Sequence, residues 1–438
     1  MSHVFRLVTV ASVLAALALV PAAARQQTAD RFWPQWRGPH MTGVSTTATP
    51  PTSWSEKENV RWRIEIPGRG SATPVVWGDR VYVQTAVPVG VEGPAAHDPM
   101  GRTLVTHKYT LMAIERKTGT VVWERVAREE APHEATHGEN GTWASASAAT
   151  DGEHIIASFE SRGYYAYDMN GKLVWQKDLG DKRMRNTFGE GSTPALHGNR
   201  LAIVWDHQEE SFIAVLDKRT GEEVWRKPRK EIDTWATPLI VTVNGRAQVV
   251  TGAMNQVVSY DLETGDVVWH TAGLTMNPIP SPVSDGSMVW LMSGFRGNSL
   301  KAIRLADAKG DITGTPAVAW TLERDTPYVP SPVLYDNVLY VLKSNNGILS
   351  AFDAKTGTPH YQVQRLDAVP NVFASPVGAA GRVYIPGREG ATLVIRHGPA
   401  YEVLATNQLD DGFDASPALV DNELYLRGYR YLYCIAEK

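Results

Sequence analysis

The chain has 438 residues, 43% of them apolar, and 43 Lys and Arg stand against 47 Asp and Glu, a formal net charge of -4. The two signs are mixed along its length, so no basic field exists to attract nucleic acid, which is not expected as a partner. Its single cysteine, Cys434, excludes an internal disulfide, and stability must come from packing.

At the amino terminus Arg6 precedes an apolar run from Leu7 to Val20, then Pro21-Ala22-Ala23-Ala24 before Arg25. A positive start, a short apolar segment and a small-residue site read as a cleavable secretory signal over 1–24. The mature chain is expected to begin near Arg25, in the periplasm or outside the cell, with no stable membrane span left. Residues 25–58 are rich in Pro, Gly, Thr and Trp, including Phe32-Trp33-Pro34-Gln35-Trp36-Arg37-Gly38-Pro39. That content disfavours a helix and its aromatics disfavour a free tail, so an ordered extension packed across the fold is expected.

From residue 59 onward one unit keeps returning. Its clearest copy is Ser259-Tyr260-Asp261-Leu262-Glu263-Thr264-Gly265-Asp266-Val267-Val268-Trp269: a strand, a tight turn closed by Thr-Gly, and a strand presenting a Trp. Copies end at Trp123, Trp175 and Trp225, and another carries Tyr361 in the Trp position. A second marker is a small hydroxyl residue, mostly followed by Pro: Thr73, Ser147, Thr193, Thr237, Ser281, Ser331, Ser375 and Ser416. Pro fits there if it opens an innermost strand, where its missing donor costs no ladder bond. Each marker precedes a hairpin turn and an apolar strand, such as Asp285-Gly286 before Met288-Val289-Trp290.

Strands and turns at a period of about 40 to 50 residues indicate a β-propeller. Eight markers predict an all-β, eight-bladed β-propeller of four-stranded antiparallel blades over 59–438. The eighth repeat stops at Lys438 before a Trp-bearing outer strand, whereas Val60-Arg61-Trp62-Arg63-Ile64-Glu65-Ile66 is such a strand with no repeat before it. The N-terminal strand is therefore expected to complete the last blade and close the ring.

Insertions are expected at Pro88 to Lys108 in blade one, which holds His97, Asp98 and His107, and at Asp307 to Pro316 in blade five; in blade seven Arg396-His397-Gly398-Pro399 replaces the usual turn. His133-Glu134-Ala135-Thr136-His137 has the zinc-protease spacing, but Pro132, Gly138 and Gly141 place it in a loop between blades, where no helix can align the two imidazoles. The stretches leading to the innermost strands should converge on the channel mouth. They supply His137, Glu139, Asn140, Trp143, Arg185, Glu190, Trp235, Asn277, Tyr328, Asn371, Phe373 and Asp414. Such polar and aromatic groups can orient a small ligand, or else solvate the funnel. Asp206, His207 and Glu209 form an acidic group at a hairpin end, read as a solvated tip or a weak cation site. No nucleophile elbow or phosphate-binding loop is present.

The repeated Ala-x-Asp-x-x-Thr-Gly-x-x-x-Trp pattern resembles the tryptophan-docking motif of the pyrroloquinoline-quinone-like (PQQ-like) propeller repeats. By that resemblance Trp62, Trp123, Trp175, Trp225, Trp269 and Trp320 pack each blade on its neighbour. Trp33-Pro34-Gln35-Trp36-Arg37-Gly38-Pro39 further resembles secreted bacterial members of unassigned function. Two branches of the family imply different chemistry. Quinoprotein dehydrogenases hold PQQ and Ca²⁺ in the channel, but the adjacent-cysteine pair and the Cys-x-x-Cys-His haem site found among them are missing here. The propeller lipoprotein of outer-membrane assembly offers its surface to partners, but the lipid-modified Cys after the signal is missing too. The expectation is a monomeric platform without cofactor, binding a cell-envelope protein or small ligand at one face, with a PQQ- and Ca-dependent oxidoreductase as the alternative.

Overall fold

The computed structural model describes residues 29–90, 96–97 and 101–437, so the expected signal over 1–24 and Asp98 lie outside the described residues. Eight sheets of four or more strands follow one another around an axis, and the short innermost strands of successive blades are neighbours, including Val75–Trp77 of blade one beside Ala418–Val420 of blade eight. Among the described residues from 30 to 437 the helices are three single turns of 3-10 type. Blade eight has the order predicted: Val60–Glu65 pairs antiparallel with Tyr431–Ala436, with Glu65 opposite Tyr431 and Val60 opposite Ile435.

The hydroxyl markers prove to be a belt. The amide of Thr73 donates to Ser147 Oγ (2.9 Å), Ser147 to Thr193 Oγ1 (2.9 Å), Thr193 to Thr237 Oγ1 (3.2 Å) and Thr237 to Ser281 Oγ (3.0 Å). Ser281, Ser331 and Ser375 each donate to the next marker at 2.9 Å. Each link satisfies an amide that the narrow neck of the ring would otherwise strand. Only the step from blade eight to blade one is missing, and Thr73 Oγ1 has no partner.

Between blades, an indole lies on a turn glycine. A Cβ on Gly221 would stand 2.7 Å from the Trp175 ring, and Gly221 also has φ +71, so the Thr-Gly turn serves both a backbone angle and a close approach. Trp62, Trp123, Trp225 and Trp320 lie on Gly119, Gly171, Gly265 and Gly357 in the same way. The indole N–H groups of Trp62, Trp175, Trp225 and Trp320 donate to carbonyls in those turns.

Trp269 packs on its neighbouring blade as expected but by a different device, and two local readings need correction. Trp269 has no such glycine, because blade five lacks the Thr-Gly turn; its insertion instead lays Gly310–Asp311 parallel to Val267–Ala272 and buries the indole completely. Blade four is thereby five-stranded rather than four-stranded. The blade-one insertion is shorter than Pro88 to Lys108: strand Arg80–Gly90 pairs with Thr106–Glu115 as far as Gly90 opposite Thr106, and His107 is buried.

The N-terminal extension crosses the face that carries the turns after the innermost strands. Trp33 exchanges backbone hydrogen bonds with Val76 of blade one, and Pro34 O accepts from Thr150 of blade two. On the far side Thr42 O accepts from Leu334 and Gly43 O from Gly378, in blades six and seven. Between them Arg37, fully buried, donates from Nη1 to Pro376 O (2.8 Å) and from Nη2 to Pro332 O (2.7 Å), and burial lowers its pKa to about 9. A Cβ on Gly43 would fall 2.0 Å from Arg37 Nη2, so the guanidinium needs glycine there.

Candidate functional site

With that face strapped, the channel is a funnel open at the other end. Its cavity measures about 230 Å³, just below the range of roughly 300–1,000 Å³ usual for small-molecule pockets, so it takes a compact ligand or a side chain or two of a partner. The belt residues Thr193, Thr237, Ser281, Ser375 and Ser416 ring its neck, and Trp36 of the extension contributes to its lining.

Seven of the predicted residues come together there: His137, Asn140, Glu190, Trp235, Tyr328, Phe373 and Asp414. Their rings are held in place. The Trp235 indole donates to Gly189 O (2.7 Å), Tyr328 stacks on Phe295 at 4.8 Å, and Phe373 lies under the Arg388 guanidinium at 4.4 Å. His137 Nδ1 and Asn140 Oδ1, on two residues of the lining, have no partner in the protein but are themselves shielded from solvent.

The other five lie elsewhere. Glu139 is exposed to solvent. Trp143 turns away from the funnel, packs on His107 at 4.3 Å and donates to Glu134 O. Arg185 is tied to Asp233, its N–H and Nε donating at 2.9 and 3.0 Å. Asn277 is buried, and exposed Asn371 donates to Glu389 (2.6 Å). Trp36, Phe188 and Asn345 line the cavity without having been picked out for it. Trp36 was the most findable, since aromatics in an extension rich in Pro signal a packed segment.

The wall formed by the loops after blades one and two is braced by charge. Lys182 Nζ and Glu160 Oε1 meet at 2.7 Å, both buried, while Ser192 N also donates to Glu160 and Ser161 N to Glu190. His133 Nε2 lies 2.6 Å from Lys182 O, and Glu134 accepts from Met184 N, so the zinc-protease spacing is absorbed by a loop, as its prolines and glycines implied. Burial raises the Glu134 carboxyl to about 8. A carboxyl whose folded pKa lies above its unfolded value contributes stability that is complete below about 4.5 and disappears as pH rises through about 8. Glu134→Gln is therefore expected to flatten the fall in melting temperature between pH 5 and pH 9; an unchanged slope in a pH series of thermal melts would rule this out.

The acidic group in blade three divides: Gln208, Glu209 and Glu210 are exposed at the hairpin tip, whereas Asp206 and His207 are buried. Asp206 is fully buried and paired with Arg229, Nε to Oδ1 at 2.7 Å and Nη2 to Oδ2 at 3.0 Å. His207 Nδ1 accepts from Arg183 N, and Glu209 points into solvent. The three do not converge.

Quinone and Ca²⁺ can be tested against the funnel. A calcium site needs six to eight oxygens on one point. Of the two carboxylates in the lining, Asp414 accepts from Arg388 (2.8 and 3.1 Å) and Tyr429 (3.1 Å), and Glu190 is committed to Ser161. The one group of acids and histidine close enough for a metal among the described residues is Asp151, Glu153 and His154, at the opposite end, where the Lys218 ammonium sits on both acids. The residues present do not fit a Ca-bound quinone.

The solved structures similar to this one share its fold at low identity. BamB from Moraxella catarrhalis aligns with a TM-score of 0.57 at 13% identity over 86% of this chain and 98% of that one. The quinohemoprotein alcohol dehydrogenase of Comamonas testosteroni aligns at 0.65 and 12% identity over 96% and 83%, and a europium-containing methanol dehydrogenase at 0.64 and 11% over 92% and 90%. The outer membrane protein assembly factor BamB of Francisella salina is 29% identical over 92 residues, a match spanning 21% of this chain and 16% of that protein. The profile described as outer membrane protein assembly factor BamB matches residues 44–209 and 209–438, the whole propeller, and the chain belongs to that family of PQQ-like repeat propellers.

Proposed function

We propose that this protein is a secreted or periplasmic, non-catalytic platform whose channel mouth binds an envelope protein or a small ligand. The observation that carries this is the one-ended funnel, walled by fixed aromatic rings and ringed at its neck by the belt hydroxyl residues. A signal removed before Arg25 and a monomeric state belong to the same reading. The name of the matched family agrees with a partner protein, since an assembly factor works on other polypeptides. The preferred partner presents an aromatic or polar side chain that enters the cavity while the loops around it contact the rest.

A photoreactive side chain placed at Asn345, in the funnel wall, is expected to give a discrete adduct in intact cells that disappears with Trp235→Ala. The same group at Lys172, exposed near the opposite face, should give none. Adducts from Lys172 alone would overturn the assignment of the binding face. Calorimetric titration with PQQ and Ca²⁺ tests the oxidoreductase reading, and tight Ca-dependent binding would replace the platform by an enzyme.

A further inference from the structure

The hydroxyl belt is only half used in joining the blades. Thr193, Thr237, Ser281, Ser375 and Ser416 encircle the neck of the funnel, all of them buried, and each side-chain oxygen accepts the amide of the marker before it. A hydroxyl also carries a donor, and none of the five has an acceptor for its own O–H among the described residues. Asn345, half-buried in the wall, is in a similar state: Oδ1 accepts from Val329 N at 3.0 Å, while Nδ2 has no partner among the described residues. The neck is thus a ring of donors with nothing in the protein to receive them.

A guest for such a neck must bring oxygens, and the rest of the lining selects among oxygen-bearing ligands. No Lys or Arg lines the cavity among the described residues, and the two acids there, Glu190 and Asp414, are carboxylates, so a phosphate or carboxylate would find no counter-charge. An organic cation brings no acceptor for the O–H groups, and Asp414 is already paired with Arg388. The apolar part of the wall is flat: Trp36, from the strapped end, and Trp235, Tyr328 and Phe373 are all half-buried against the cavity. Donors around a rim beside flat apolar surfaces match a ring that has oxygens at its edge and C–H groups on its faces. A peptide side chain carries its acceptors at one end and cannot meet donors all round. The cavity of about 230 Å³ suits one compact ring of this kind.

We propose that the funnel binds one uncharged sugar ring, its oxygens held by the belt hydroxyls and Asn345 and its C–H faces by the aromatic wall. This rests on the reading of the funnel as the binding face and gives that face a ligand class. A free hexose and the terminal residue of a glycan share this chemistry.

The test applies the mature chain to a glycan array bearing uncharged, uronic-acid and phosphorylated terminal sugars, followed by calorimetric titration with free glucose, galactose and mannose. Binding to uncharged terminal sugars well above the charged ones is expected, and the titration shows whether a free hexose suffices or the glycan is needed. Asn345→Asp keeps an acceptor for Val329 N but removes the free donor, and should weaken sugar binding about tenfold at an unchanged melting temperature. Should that variant fail to fold, Phe373→Leu, which keeps apolar volume but removes a flat face, is expected to weaken binding by a similar factor. Sugar binding that the folded variants leave intact, or that favours the charged sugars, would overturn the site. Absence of binding to every sugar overturns it too, and the photoreactive group at Asn345 then separates the two readings. A protein adduct without sugar binding leaves the platform without its sugar, whereas loss of both removes the funnel as a binding face.

Discussion

Asp206→Ala is expected to cost about 3–5 kcal/mol of unfolding free energy, because it leaves the buried Arg229 guanidinium with no carboxylate hydrogen-bonded to it. Arg229 would keep only the neutral oxygens of Thr251 (2.8 Å) and Tyr260 (3.0 Å) as acceptors, in a site where its side chain is 1% exposed. Replacing both partners, as in Asp206→Leu with Arg229→Met, should recover most of the loss, since removing a whole buried pair is often close to neutral. Urea unfolding of the two variants beside the wild type measures both terms. A single variant within about 1 kcal/mol of wild type would mean that water reaches the guanidinium and that the pair is solvated after all.

The same residues mark what a sequence can and cannot disclose. Asp206, His207 and Glu209 follow one another at a hairpin end, where acids usually face water, and Arg229 lies far enough along the chain that nothing local announces the pairing. Arg37 is a parallel case: a charged residue in a segment rich in Pro is expected at the surface, yet carbonyls from blades six and seven draw it to full burial. Contacts of that range depend on how the ring closes, and closure is a property of all eight repeats together.

Periodic features behaved differently. The markers from Thr73 to Ser416 were legible as blade positions because every repeat needs them, although the reason for a hydroxyl at each appears only in the belt. Trp269 packs on blade five without a turn glycine for a local cause, the missing turn there, which the insertion over Asp307 to Pro316 already signalled. The funnel was half legible. Residues immediately before a marker, such as Trp235 and Asp414, reach the neck, whereas Arg185, Asn277 and Asn371 sit in loops that bend away. Loop conformation decides this: Asn186, Thr187 and Asn277 adopt left-handed backbone angles that no periodicity predicts.

Ring closure by Val60–Glu65 gives the largest expected effect of all. Deleting residues 1–66 removes a whole strand, exposes the edge of Tyr431–Ala436 and strips Trp62 and Ile64 from the apolar cluster that joins blades seven, eight and one. It also takes Arg61 from Glu423, which is left with Arg116 alone as its cationic partner. Loss of a cooperative unfolding transition is expected, because an open propeller leaves two unpaired edges and an unfilled interface. Appending residues 59–66 after Lys438 through a short Gly-containing turn should restore it, since Ala436 N already donates to Asn59 O at 2.8 Å and the two strands run antiparallel. Both chains lack the strap that carries Trp36 and Arg37, so the difference between them reads the strand alone. If the deleted chain melted as sharply as the permuted one, the seven complete blades would close without a shared eighth, and the covalent origin of that strand would have no bearing on the fold.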